Sequence, residues 1–367
     1  MLRKICTTIF VIATFNFSTF AQTDSSKQME STPPEEVKPG PTITGSIDAY
    51  YRFNFDDLSP VGGSLITNTN NFTSFTNSHN SFELGMASIK ADHSFGKASA
   101  TIDLGFGKRA EEFSYGNPDN PSLFAIKQAY LSYAVSDKFK LTMGKWATHV
   151  GYELVDAYLN RNYSMDYMFS YGPFSHTGLK ADIGLGKKSA LMLGVANTTD
   201  LVSTTSSSKY LIGQFSTATS NDKLKAYLNY QGSYADSGST TQFDLVLIGV
   251  VTDKFSIGYN GTVQSAKTPS TSSNSWWGSA LYFNLDPTSA FGITLRAEYF
   301  DNKKAVAIYA PYTSIFDITL SPNFKIGNLT IIPELRLDSG KMPIFGKNDG
   351  TASKSTVTGI LAATYHF

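Results

Sequence analysis

The sequence predicts an all-β fold: a transmembrane, antiparallel, up-and-down β-barrel of about 16 strands, an even number as bacterial outer-membrane barrels require. Three observations predict it. Apolar and polar side chains alternate with a period of two in segment after segment. Very short connections alternate with long polar ones along the chain. The chain also closes on "GILAATYHF", Gly359 to Phe367, apolar at every second position and aromatic at the end.

The alternation is explicit in single segments. "ITGSIDAYYRFNF" sets Ile43, Ile47, Ala49, Tyr51 and Phe53 against Thr44, Ser46, Asp48, Tyr50 and Arg52. "SATIDLGFG" (99–107), "KFSIGYNGTVQ" (254–264), "AFGITLRAEYF" (290–300) and "LTIIPELRLD" (329–338) repeat the pattern. Tight hairpins fall at 94–98, 135–139, 184–189, 219–223, 251–255, 285–290 and 325–329. Longer polar stretches occupy 57–80, 108–121, 150–173, 198–209, 233–240, 266–274, 301–311 and 339–354. Seven hairpins plus an opening strand near 42–56 and a closing strand near 355–367 give the strand count. In such barrels short turns face the periplasm and long loops face outward. A secreted β-sandwich does not confine its long loops to one side so regularly, and no fixed repeat supports a solenoid or propeller.

Composition agrees. Of 367 residues only 16% are charged, with 30 Lys+Arg against 30 Asp+Glu, so nothing points to a nucleic-acid partner. Aromatics reach 13% although mean hydropathy is slightly polar, at −0.15. That pairing suits strands that are apolar on one face only.

Residues 1–21 read as a secretory signal peptide, with Arg3 and Lys4 before an apolar stretch and Thr19 and Ala21 as the small residues before cleavage. A single membrane anchor is the alternative, but Thr, Asn and Ser break the run. Cys6, the only cysteine, lies inside the signal, so the mature chain has neither disulfides nor thiolate metal sites. Residues 22–41 are polar and Pro-rich and read as a disordered leader. The barrel then occupies 42–367.

Two places resist the pattern. Leu84 and Met86 share one parity while Ile89 and Ala91 take the other, which predicts a bulge near Ser88. Lys127 and Lys145 fall on the apolar parity near the long-loop ends of their strands, where a lysine can snorkel to the interface.

The closing strand must pair with the first, because an open sheet edge does not survive in hydrocarbon. Val357, Leu361, Tyr365 and Phe367 are expected to face lipid, and Thr356, Thr358, Thr364 and His366 the lumen. This ending resembles the terminal signature of outer-membrane barrels, which implies that Tyr365 and Phe367 serve as a signal for the barrel-assembly machinery. A more specific resemblance lies in Ile126 to Gly184. The strand "QAYLSY", a strand ending in "GKW", "GYE" opening a loop that holds Asn160 and Asn162, and "PFSHTG" closing it are similar to the core of the family known as putative β-barrel porin-2. The resemblance implies an outer-membrane porin: a water-filled barrel through which small hydrophilic solutes or ions diffuse passively, with no cofactor and with outer-membrane lipid around it. Whether it works as a monomer or a trimer stays open.

On the polar parity, candidate lumen charges are Asp48, Arg52, Glu83, Asp103, Lys180, Asp182, Lys225, Arg296, Glu298, Glu334, Arg336 and Asp338. Mixed signs predict weak selectivity or opposed walls with a transverse field; mutual pairing is the plainer reading. The long loop 150–173 shows helical character at "ELVDAYLNR" and carries Tyr152, Tyr158, Tyr163, Tyr167, Phe169 and Tyr171. It is expected to fold inward as a constriction, with Glu153, Asp156, Arg161 and Asp166 toward the opposite wall. Equally, its aromatics read as packing that pins it. Trp276 and Trp277 suit the outer aromatic girdle.

No G-x-S-x-G or H-E-x-x-H motif occurs, and "GFGKRA" lacks phosphate-loop spacing. The five histidines are dispersed without zinc spacing, so no metal site is expected. The rival readings are a plugged adhesive barrel and, further off, a hydrolase using Ser175, His149 or His176. The chain is expected not to be an enzyme.

Overall fold

The computed structural model describes residues 40–57, 69–114, 123, 125–235, 238–270, 272–307 and 310–367. The expected signal peptide and nearly all of the leader lie outside these. Sixteen strands form one closed antiparallel barrel. Its first eight are β1 Thr42–Asn54, β2 Ser81–Phe95, β3 Ala98–Phe106, β4 Ile126–Ser136, β5 Phe139–Ala147, β6 Ser175–Gly184, β7 Ser189–Ala196 and β8 Tyr210–Ala218. The wall continues through β9 Leu224–Ala235, β10 Gly238–Thr252, β11 Phe255–Lys267, β12 Asn274–Thr288, β13 Phe291–Asp301, β14 Ser314–Ile326 and β15 Leu329–Gly340. A two-residue ladder follows between β16 (Phe345–Gly346) and β17 (Ala352–Ser353), and β18 (Ser355–His366) closes the barrel.

Closure pairs β1 with β18, from Ser46 opposite His366 to Asn54 opposite Thr358. The backbones of Gly45 and Phe367 exchange two hydrogen bonds of 3.0 Å, so the terminal aromatic sits within the seam. Period-two alternation becomes a two-solvent partition. Leu361 is 53% exposed on the outside, while Thr358 and Thr364 are buried inside. No helix among the described residues is long and apolar enough to cross a membrane; the strands present the apolar outer band instead.

Four local expectations are corrected. The bulge lies at Gly85, where Asp48 pairs with Met86 and Ala49 with Leu84. It therefore splits the Leu84–Met86 parity: Leu84 faces out and Met86 is buried inside. A second register shift skips Lys127, since Asp103 pairs with Gln128 and Leu104 with Ile126. Lys127 consequently turns inward, and Lys145 is buried too, donating to the Ile126 carbonyl at 2.8 Å, so neither lysine snorkels. The polar stretch 233–240 is no long loop, because the ladder runs on to Ala235 opposite Gly238. Finally, only Trp277 joins the outer face; Trp276 is fully buried against Tyr167 and Phe300.

Candidate functional site: the loop inside the barrel

The 148–174 connection between β5 and β6 turns into the lumen. Its expected helix at 153–161 reduces to a 3₁₀ turn at Ala157–Leu159, and a short helix α2 follows at Tyr167–Tyr171. The Asp166 side chain caps α2 by accepting from the Phe169 N–H at 2.6 Å. A loop buried in a barrel must satisfy its backbone groups without water, and here the barrel wall supplies the partners.

Glu334 on β15 accepts the N–H groups of Tyr163 (2.6 Å) and Ser164 (3.0 Å). Glu298 on β13 accepts those of Tyr167 (2.8 Å) and Met168 (2.9 Å). The carbonyls are met by arginines: Arg296 donates to Ser164 O at 2.7 Å, and Arg336 to Met165 O at 2.7 Å. These two guanidiniums share Asp317, at 3.3 and 2.7 Å, while Arg296 also pairs with Glu153 at 2.6 Å and Arg336 with Asp338 at 2.8 Å. Two tyrosine hydroxyls extend the grip, Tyr163 to Asp48 (2.6 Å) and Tyr167 to Asp338 (2.8 Å). Charge-assisted bonds of this kind are about twice as strong as neutral ones.

Small wall residues let the loop approach. A Cβ at Gly278 on β12 would lie 2.4 Å from Met168 Cγ, and one at Gly258 on β11 would lie 2.6 Å from the Tyr152 ring. The underside of the loop reaches toward the short-turn end: Arg161 binds Asp286 with two bonds of 2.8 and 3.0 Å, and Tyr158 stacks on His366 at 4.9 Å.

The charges predicted from parity are inside the barrel. Asp48, Arg52, Asp103, Lys180, Asp182, Arg296, Glu298, Glu334, Arg336 and Asp338 are buried, and Glu83 is half-buried and accepts from the Tyr50 hydroxyl. They are not, however, opposed walls. Acids and bases stand beside one another on β13–β15 and neutralise locally. Nor does Asp156 reach the far wall. It meets Lys127 at 2.6 Å on the neighbouring β4, and Asp103 completes that bridge at 3.2 Å. The loop aromatics serve as packing, with Tyr163, Tyr167 and Phe169 in three separate apolar clusters.

Several residues of the site were missed by sequence reasoning. Asp317, Tyr282, Asp244 and Asp286 all stand on lumen parity, and the same alternation in "SIFDITLSPNF" and "ALYFNLD" would have found Asp317, Tyr282 and Asp286. Arg109 had no such signal. It lies in α1 (Lys108–Phe113), a loop helix after β3, yet is fully buried, 3.7 Å from Asp48 and stacked near the Tyr163 ring at 5.0 Å. In the same helix Glu112 accepts the Phe75 N–H at 2.8 Å, and burial lifts its carboxyl above the usual range.

His149 and His176, far apart in sequence, do come together with ring centroids 5.0 Å apart. Burial pushes His149 down to about 4, so it is neutral at ordinary pH. His149 Nε2 meets Tyr230 O and His176 Nε2 meets the Thr148 hydroxyl, and Ser175 Oγ hydrogen-bonds to neither ring. Among the described residues no three or more His, Cys, Asp or Glu side chains cluster to hold a metal.

A closed sixteen-stranded barrel with its third long loop folded into the lumen defines the class: an outer-membrane porin. The sequence matches, over residues 40–367, the family described as "Putative beta-barrel porin-2, OmpL-like", and the chain belongs to that family. The sequence has no match among curated proteins. Among solved structures, the anion-selective porin from Comamonas acidovorans is similar at TM-score 0.57 and 11% identity, covering 89% of this chain and 99% of that one. The outer-membrane channel DcaP of Acinetobacter baumannii gives 0.57 and 11%, covering 89% and 97%. The trimer form of OmpT from Vibrio cholerae gives 0.58 and 8%, covering 90% and 100%. At such identities these likenesses speak for the fold.

Proposed function

We propose that this porin passes small hydrophilic solutes and ions by passive diffusion, and that the 148–174 loop is its constriction. The observation that carries the reading is the clamp of loop backbone onto Glu298, Glu334, Arg296 and Arg336, which holds the loop across the lumen. Every barrel strand offers at least one side chain that is buried at the lumen face, from Asp48 on β1 to Thr358 on β18. The free cross-section at mid-height is therefore narrow, and conductance is expected to be small. The reading assigns no catalytic step to the barrel.

Residues 1–21 act as a cleaved signal peptide and 22–41 as a leader, on the strength of their composition. Tyr365 and Phe367 present the end of β18 to the barrel-assembly machinery, and outer-membrane lipid covers the apolar band. Since OmpT from Vibrio cholerae is described in a trimer form, a trimer is one assembly to look for, by size in mild detergent. The test of conduction is single-channel recording of the refolded barrel in a planar bilayer. Discrete small openings support the reading, and a folded, electrically silent barrel contradicts it.

A further inference from the structure

Charge is distributed unevenly along the barrel axis. At mid-height ten carboxylates, among them Asp166, Asp244, Glu298 and Glu334, are buried. Each is held by N–H, O–H or cationic donors of the protein, as when Asp244 takes Gly151 N–H, Asn229 and Asn260 together. Their charge is turned into the protein rather than toward water. At the long-loop end the excess of bases is smaller: outside the lumen loop, the described connections carry eight bases against six acids.

The short-turn end is different. Its hairpins carry six lysines, Lys97, Lys138, Lys187, Lys188, Lys223 and Lys254, against three acids, Asp137, Asp222 and Asp253. Just inside, the lumen parity adds Lys90, Lys140, Lys180, Lys225 and Lys325, and the lumen loop adds Arg161, against Asp92, Asp182 and Asp286. Each of these acids is shared or matched. Asp286 lies between Arg161 and Lys325 at 2.8 and 2.9 Å, and Asp182 between Lys140 and Lys180 at 3.5 and 3.7 Å, whereas Lys90 and Asp92 match one to one. Lys225, between Ala218 and Ile248 in the ladder, has no carboxylate within ion-pair reach among the described residues. Bases outnumber acids two to one both on the rim and within the mouth.

We infer that the short-turn mouth is an anion-collecting vestibule and that the porin favours small anionic solutes, those bearing phosphate, sulfate or carboxylate groups, over cations. A cleft lined by one sign of charge between low-dielectric walls raises the local concentration of the opposite ion, and lysine rings select anions in pores. The proposal deepens the conduction reading above and rests on it.

The test is the zero-current potential of the wild type and of K140E/K225E in a planar bilayer under a KCl gradient, with heat-modifiable migration as the control for folding. Chloride is expected to permeate about two- to fivefold more readily than potassium in the wild type at low salt, and the variant to bring that ratio to one or below. Potassium preference in the wild type, or an unchanged ratio in a folded variant, overturns the vestibule. A silent barrel contradicts conduction instead, and the vestibule is then read by anisotropy of a trianionic pyrene trisulfonate dye. Salt-sensitive binding that K140E/K225E weakens supports it, and absent binding overturns it.

Discussion

The two sides of the lumen wall solve the same burial problem with different chemistry. On β13–β15 and β1 the inward groups are ionic: Arg296, Glu298, Glu334 and Arg336 hold the loop by its backbone, Asp48 and Asp338 hold its Tyr163 and Tyr167 hydroxyls, and Asp317 bridges the two arginines. On β8–β11 they are mostly neutral. Gln214 donates to Asn229, Gln231 to Gln242, and Gln242 to Thr262, a ladder of amides and hydroxyls around the single carboxylate Asp244. This ladder bonds mainly to itself along the wall and meets the loop backbone only near its start, where Asp244 and Asn260 accept from the Gly151 and Tyr152 N–H groups and Gln214 donates to His149 O. A buried charge must have a partner, because stranding it costs several kcal/mol. The ionic side therefore dictates where the loop lies, and the neutral side accommodates it.

That contrast can be broken from the ionic side first. Arg296→Met leaves Glu153 and Asp317 short of a cation in a water-poor site and should cost about 3–5 kcal/mol, or prevent assembly; the midpoint of heat-modifiable unfolding measures it. Glu334→Gln keeps one acceptor oxygen for Tyr163 and Ser164 but gives up its charge, so about 1–2 kcal/mol is expected on the same readout, with noisier and larger openings as the loop loosens. On the neutral side, Gln231→Ala should change stability by about 1 kcal/mol or less and leave mean conductance where it was. An effect there as large as that of Arg296→Met would erase the distinction between the two sides.

Acid sharpens the comparison at the neutral side's edge. His149 is held near 4 by burial, below its ordinary value of 6.5. Between those values the unfolded chain binds the proton and the folded one does not, so stability rises with pH through that window. Lowering pH from about 7 to 4 should cost on the order of 3 kcal/mol from this group, and His149→Asn should flatten that part of the profile.

The barrel was legible in the sequence because its two solvents impose a period of two that any strand must obey. Short turns and the terminal aromatic completed the count. Parity failed where a bulge shifts it, at Gly85 and Lys127, since an inserted residue leaves no local compositional mark, and at Lys145, which is buried although its ladder keeps register. The inward loop was legible as a long, aromatic-rich third connection. What it binds was not: Tyr163 finds Asp48 at a separation of 115 residues, and Glu298 finds two amides 131 and 130 residues away. Such contacts are set by where the closed barrel places its wall, and nothing in the local sequence of either partner specifies the other.

Deleting Asp156 to Asp166 tests most directly whether the loop is the constriction. Single-channel conductance of the refolded deletion variant, beside the wild type in the same bilayer and salt, should rise severalfold, by about two- to fivefold if the freed cross-section carries current. A folded variant with unchanged conductance would place the narrowing elsewhere and contradict the claim.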